Sequence, residues 1–410
     1  MPLDPYRRVL ARPGVRSLLI VTLLARIPIT AAPVVLTLHV VLGLGLGFTQ
    51  SGLVAAVVAL GAAVGSPLVG RAIDAVGLRP VLITTTVAEG AFWFSARWLP
   101  YHWLVLTALL GGMLALPVFS VARQSLAALL PPAERQPGFS LDSMSVEVSF
   151  AFGPALGVVI LTQAGSTVAF LSAATLIVIS GLALTALDPA VHGAEGVAAD
   201  LRRDRPRVVP DRAAAPPLRS WFSHRVAAVM LATFGATFTL AGTDTAITAV
   251  MRAFDRISLL GVVIAVWCVA SLIGGFGYGL LHRSVDPLVL LAFLAALTIP
   301  VAFAGSWWLL ALFVIPAGLF CAPLISATAE VLSRVTPAEV RGQVMGLHSS
   351  ALTIGNAAGA SLVGVVVDRV SPRSGFVGIG VLGLLLALLG LLAQARRGRV
   401  RERDDVLTAA

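Results

Sequence analysis

Gly70-Arg71-Ala72-Ile73-Asp74-Ala75-Val76-Gly77-Leu78-Arg79-Pro80 separates two apolar runs, roughly 49–69 and 80–98, each long enough to cross a bilayer. Hydrocarbon about 30 Å thick requires ~20 apolar residues of helix. The connector carries the charges that the runs exclude. Its two glycines let the backbone turn tightly, Asp74 places a fixed negative charge at the membrane surface, and Arg79 supplies a nearby cation. Outward from this stretch the same alternation of apolar run and short polar connector fills the chain. Twelve spans are expected, roughly 17–43, 49–69, 80–98, 103–128, 139–162, 165–187, 225–251, 257–281, 286–305, 307–333, 341–367 and 375–395. Backbone amides in lipid find partners only inside a helix or a closed barrel, and no ten-residue alternation marks a barrel. The fold class is an all-α membrane protein.

Composition agrees. With 58% hydrophobic and 12% charged residues, a 410-residue chain holds more apolar surface than a soluble core can hide. The second half repeats the landmarks of the first about 205 residues later. Trp103, Pro117, Ser120 and Pro132-Ala133-Glu134 recur as Trp308, Pro323, Ser326 and Pro337-Ala338-Glu339, and Gly153-Pro154-Ala155-Leu156-Gly157 returns as Gly355-Asn356-Ala357-Ala358-Gly359. Two pseudo-symmetric six-helix bundles follow: residues 1–187 and 223–395, joined by a linker at 188–222 and followed by a basic tail at 396–410.

The formal charge of +9 raises nucleic acid as a partner, but its distribution argues against it. All 29 basic residues are arginine. With connectors assigned alternately to two faces, Arg97, Arg252, Arg256, Arg369 and Arg373 fall on one, Arg26 and Arg123 lie inside spans, and the other 22 share the face of the termini. The positive-inside rule then puts both termini in the cytoplasm, with the chain in the plasma membrane. Trp98, Tyr101 and Trp103, and again Trp307 and Trp308, form aromatic belts on the opposite face. The first apolar segment is too long for a signal-peptide core and runs into a second without a small-residue cleavage site, so it is expected to stay as the first span. The linker lacks apolar periodicity, although Trp221 and Phe222 beside Arg219 and Arg225 allow a short surface helix over 218–222. Cys268 and Cys321 fall inside spans and read as packing residues, with no metal site or disulfide.

The connector pattern G-x-x-x-D-x-x-G-x-R, at Gly70, Asp74, Gly77 and Arg79, resembles the signature loop of the major facilitator superfamily. The resemblance covers the whole chain, with its twelve spans, two halves and central linker. In that family the loop aspartate contacts the start of the eleventh helix in the outward-facing state, so Asp74 is implied to meet the positive dipole end near Arg341 and Gly342. The second-half counterpart, 275–286, has Gly279 and Arg283 but no matching aspartate. Gly153, Pro154 and Gly157 in the fifth span are similar to the motif that drug and metabolite exporters carry there, with Ser149 and Val158 where the family has glycine. The simpler reading of those glycines is close helix packing. The family's Arg followed by Gln-Gly in mid-helix four is absent, because Arg123 lies nearer the helix end.

Charges inside spans are the remaining signal, since an unpaired one costs about 3 kcal/mol on insertion scales. At ~1.5 Å per residue, Arg26 and Glu147 sit at similar depth, roughly 10 to 14 Å in, and are expected to pair. That pair is either a proton or substrate site or a static bridge. Glu89 is a rival partner for Arg26, and Asp244 a separate carboxylate facing a cavity. Exporters of cations in the family often carry an acid in helix one, so Arg26 there speaks against a purely cationic substrate. Pro28 and Pro33 in the first span and Pro316 and Pro323 in the tenth fall where family members line the substrate path.

Without lysine the phosphate loop ending in Gly-Lys-Ser/Thr cannot exist, so ATP hydrolysis by that route is excluded. One proton moving down 100 mV supplies about 2.3 kcal/mol, enough for a roughly forty-fold solute gradient. H-E-x-x-H, G-x-S-x-G and paired aspartates are missing, which argues against an enzyme. The resemblance implies a monomeric, cofactor-free secondary transporter exporting a small organic molecule in exchange for protons, or alternatively an importer or uniporter of the same fold.

Overall fold

The computed structural model describes residues 3–191, 221–281 and 283–409. Every regular element among them is helical. A short helix α1 (Asp4–Ala11) precedes α2 (Val15–Leu38), α3 (Phe48–Val76), α4 (Leu78–Ala96), α5 (Tyr101–Met113), α6 (Val118–Leu129) and α7 (Arg135–Leu187). Then come α8 (His224–Ala253), α9 (Leu260–Gly279), α10 (Pro287–Thr298), α11 (Trp307–Gly318), α12 (Cys321–Val335), α13 (Arg341–Arg369) and α14 (Ser374–Ala409). Most of the expected linker, and Leu218 to Ser220 of its possible surface helix, lie outside the described residues.

Nine stretches among the described residues are long and apolar enough to cross a membrane. One of them, Pro132–Leu187, is 56 residues long and breaks at Gly165, whose φ of 86° only glycine adopts readily, so it crosses twice. Leu78–Ala96 and the shorter Pro287–Phe303 complete the twelve that the sequence calls for. The fourth and tenth spans are each two helices in series, α5 with α6 and α11 with α12. The arginine-bearing end of the chain beyond 395 continues α14 as helix to Ala409.

The chain forms two compact units. The first contains residues 1–216 together with 276–280, the end of α9, and 336–354, the first part of α13; the second contains 217–275, 281–335 and 355–410. In the first unit α2 and α4 pack on α7, and α3 on α5. Its core includes Val35, Leu36, Phe92, Trp93, Phe170 and Ile177, with Trp93 and Phe170 ring centroids 5.7 Å apart. In the second unit α8 and α10 pack on α14. Trp98, Trp103 and Trp308 are exposed, as residues at a lipid headgroup boundary are.

The sequence repeat reappears as a repeat of packing inside each unit. A Cβ added to Gly153 would meet the Ile27 carbonyl and the Thr30 hydroxyl, and one added to Gly157 would meet Ala31. In the second unit a Cβ on Gly355 would meet the Phe234 carbonyl and the Thr237 hydroxyl, and one on Gly359 the Phe238 carbonyl. Likewise Gly65 presses on Met113 and Gly112 on Val58, while Gly274 presses on Leu319 and Gly318 on Trp267 and Ala270. Small residues thus let the same pairs of helices approach in both units, the attraction being van der Waals contact in a solvent that offers no hydrophobic drive.

Candidate functional site

The 70–80 stretch closes α3. Gly77 ends the helix with φ 91° and ψ 167°, a conformation that a side chain would strain, and α4 begins at the next residue. Asp74, one turn earlier and half-buried, accepts hydrogen bonds from the backbone amides of Gly342 (2.9 Å) and Gln343 (2.8 Å). These are first-turn amides of α13 with no partner inside their own helix, and the carboxylate also meets the positive end of the helix dipole. The contact implied by the family resemblance is therefore present. Gly70 is needed for it, because a Cβ there would collide with the Gly342 carbonyl. Further along the same crossing, the Ser350 hydroxyl donates to the Ala63 carbonyl at 2.5 Å, and Gly346 abuts Ser66. Arg79 points elsewhere, to Asp188 at 3.5 Å, an exposed pair that adds little.

The counterpart around Gly279 is built differently. With no aspartate available, α1 supplies the closure: Tyr6 is buried, stacks on Phe276 at 5.1 Å and donates its hydroxyl to the Phe276 carbonyl at 2.6 Å. Gln136 at the start of α7 donates to the Tyr278 carbonyl at 2.8 Å. Arg12, just past α1, forms a bidentate pair with Glu134 at 2.8 Å, pinning the short helix.

Arg26 pairs with Asp142, not Glu147. Its Nη2 lies 2.6 Å from Asp142 Oδ1 and its Nη1 donates to the Ser145 hydroxyl at 3.1 Å, while the guanidinium covers the Phe119 ring at 4.9 Å. An arginine on a helix leans toward the helix N-terminus, so it meets a partner about a turn below its own Cα height. Depth counted at Cα atoms therefore selected a residue too far along α7. Glu147 is half-buried. Arg123 joins the same cluster, 3.5 Å from Asp142 Oδ2 through Nε and 3.0 Å from His348 Nδ1 through Nη1. Ser120, one turn away on α6, meets the Ser349 hydroxyl at 2.9 Å.

Glu89 does not take Arg26 either. Its carboxylate accepts the backbone amide of Leu116 at 2.6 Å, at the break between α5 and α6. Pro117 interrupts the helix there and leaves amides without intrahelical partners. The equivalent amide in the second unit, Ala322 before Pro323, is taken by the Ser271 hydroxyl at 3.1 Å.

The family model of the Major Facilitator Superfamily matches residues 18–297 and again 229–408. The chain belongs to the major facilitator superfamily. Among solved structures, this facilitator resembles the human organic anion transporter MFSD10 (TETRAN) at 18% identity, over 94% of this chain and 100% of that one, with a TM-score of 0.70. A bacterial homologue of the iron transporter ferroportin in an outward-facing state gives 15% identity, 92% and 97% coverage and a TM-score of 0.69. The proton:xylose symporter XylE bound to 6-bromo-6-deoxy-D-glucose gives 13%, 91% and 94%, and 0.68. At these identities the likeness speaks for the fold. No curated protein matches the chain. The facilitator is thus an integral membrane protein of a family that moves solutes.

Within the facilitator, Asp244 stands apart from the other candidate residues. It lines an open recess of about 390 Å³ with Thr248, Arg252 and Asp368 in the second unit. Three residues of the site escaped the sequence reading: Asp142, His348 and Tyr6. Asp142 carried a usable signal, being an acid inside an expected span, and so did Glu330, which is fully buried in α12 and bound to Arg334 at 2.6 Å. Tyr6 carried none, because it lies before the first span.

Proposed function

We propose that this facilitator is a secondary active exporter that works by alternating access, passing a small organic molecule across the plasma membrane in exchange for protons. It acts as a monomer with both termini in the cytoplasm, the face on which its arginines gather. The observation that carries this reading is the pair of bonds from Asp74 to the first amides of α13. Two charge-assisted bonds at a helix start are strong enough to hold one arrangement and local enough to release as a unit. The glycine and serine contacts of α3 with α13 reinforce it. Release of α13 from Asp74 opens the cytoplasmic side and its return closes it, with the solute held near the bilayer midplane.

Glu89 is the preferred carrier of the coupling proton. It is buried in the middle of α4 beside a helix break, and its carboxylate accepts from the Leu116 amide. Such an acid is neutral or charged according to whether the break is dry or open to water. Glu147 is the second candidate, and the Glu→Gln variant of each separates them. The test of direction uses inside-out vesicles acidified within, with a compound found by thermal-shift screening of the purified protein supplied in the external bath. Accumulation that a protonophore abolishes supports export by antiport; accumulation only under the reversed gradient makes the protein a symporter.

A further inference from the structure

Two buried guanidiniums share one carboxylate. Arg26 and Arg123 are 0% and 2% exposed, and Asp142, between them, is 1% exposed. Arginine does not deprotonate in proteins, so these three residues carry one net positive charge. Their other contacts are neutral: the Ser145 hydroxyl, the Asp142 carbonyl at 3.5 Å, the Phe119 ring and His348. Nor is the hydrogen bonding of the cluster complete, for Arg26 Nε and Asp142 Oδ2 are both buried without a hydrogen-bond partner. Removing a charge from water is costly unless an opposite charge accompanies it.

One of those contacts, His348, comes from α13 and is placed to leave. His348 meets Arg123 through Nδ1, which must accept because the guanidinium only donates. It rides on α13 about one and a half turns beyond the amides that Asp74 holds. When α13 withdraws, Arg123 loses His348, while Asp142, on α7, stays with both arginines.

We infer that Arg26 and Arg123 bind an anionic group of the substrate, a carboxylate or a sulfonate, which takes the place of His348 on Arg123 when α13 moves away. The planar guanidinium fork matches either group through paired hydrogen bonds and repels a cation. Asp142 keeps the pair from binding the anion too tightly for release. The inference rests on the alternating-access reading for the movement of α13, and is independent of export and of proton coupling.

The test is thermal unfolding of the purified full-length protein with ring compounds matched in shape and differing in charge: benzoate, naphthoate, benzenesulfonate and naphthalenesulfonate against benzamide and benzamidinium. At millimolar concentration at least one of the four anions raises the midpoint by several degrees, and the neutral and cationic compounds leave it unchanged. His348→Ala, which removes the competing acceptor, binds the active anion several-fold more tightly. Arg123→Gln abolishes the response; should that variant fail to fold, His348→Ala carries the test alone. A response to benzamidinium equal to that of the anions, no response to any anion, or unaltered affinity in His348→Ala overturns the inference. Vesicles that export a cation while the protein ignores the anions refute the anion site and leave the export reading standing. Anion binding with no flux in either direction does the reverse.

Discussion

Asp74 and Glu89 are both carboxylates on backbone amides, yet they are expected to respond differently to the same substitution. Asparagine at 74 keeps an acceptor but loses the charge that makes the bonds to Gly342 and Gln343 strong. Hydrogen bonds to charged groups contribute about 1.5 to 3 kcal/mol, so Asp74→Asn should lower flux on the order of ten-fold with helix content unchanged by circular dichroism. Wild-type flux in that variant would remove the latch from the mechanism. Glu89→Gln should retain the contact with Leu116 while flattening the pH dependence of flux; an unaltered pH profile would move the proton elsewhere, with Glu147→Gln as the next measurement. Sequence alone showed that Arg26 needed a partner, because a lone charge at that depth is costly. It did not reveal which one, because the reach of the side chain back along the helix is as large as the spacing between Asp142 and Glu147 on α7.

At the scale of elements, the matched glycine contacts allow a controlled comparison. Gly153→Val forces a side chain into the Ile27 carbonyl and Gly355→Val into the Phe234 carbonyl, whereas Gly364, also on α13, has open space around it. Overpacking against backbone costs about 1 to 3 kcal/mol, so the first two substitutions should lower the unfolding midpoint and Gly364→Val should not. Equal midpoints in all three would mean that these crossings are looser than described. Tyr6→Phe keeps the stack on Phe276 and deletes the bond to its carbonyl. It should weaken the tether of α1 by about 1 kcal/mol, seen as faster proteolysis near Arg12 with the spans left intact. An unchanged cleavage rate would show that the stack and the Arg12–Glu134 pair suffice. The helix breaks at Pro117 and Pro323 were legible as prolines inside apolar runs. Their solutions, Glu89 for one and Ser271 for the other, were not, since they come from different neighbouring helices and only tertiary packing brings them there.

For the whole molecule, the spans and their duplication were readable because the bilayer restricts the chain to helices of fixed length, and because a repeated architecture must repeat its small residues where helices touch. Gly153 and Gly355 illustrate this: a backbone carbonyl and a threonine hydroxyl lie beneath each, from Ile27 and Thr30 in one case and Phe234 and Thr237 in the other. The division into compact units was less legible. The first part of α13 and the end of α9 group with residues 1–216, so their place is set by local contacts such as Asp74 with Gly342 and Tyr6 with Phe276, which leave no periodic trace in the sequence. Those contacts are where the proposed cycle acts. In that cycle the start of α13 parts from the end of α3 during turnover. Spin labels at Arg71→Cys and Glu339→Cys, both exposed positions, with Cys268 and Cys321 replaced by serine, report that separation by electron–electron resonance in lipid without knowledge of the substrate. Two distance populations, the longer one growing in Asp74→Asn, are the predicted result; a single short distance, the same with and without Asp74, would contradict the account.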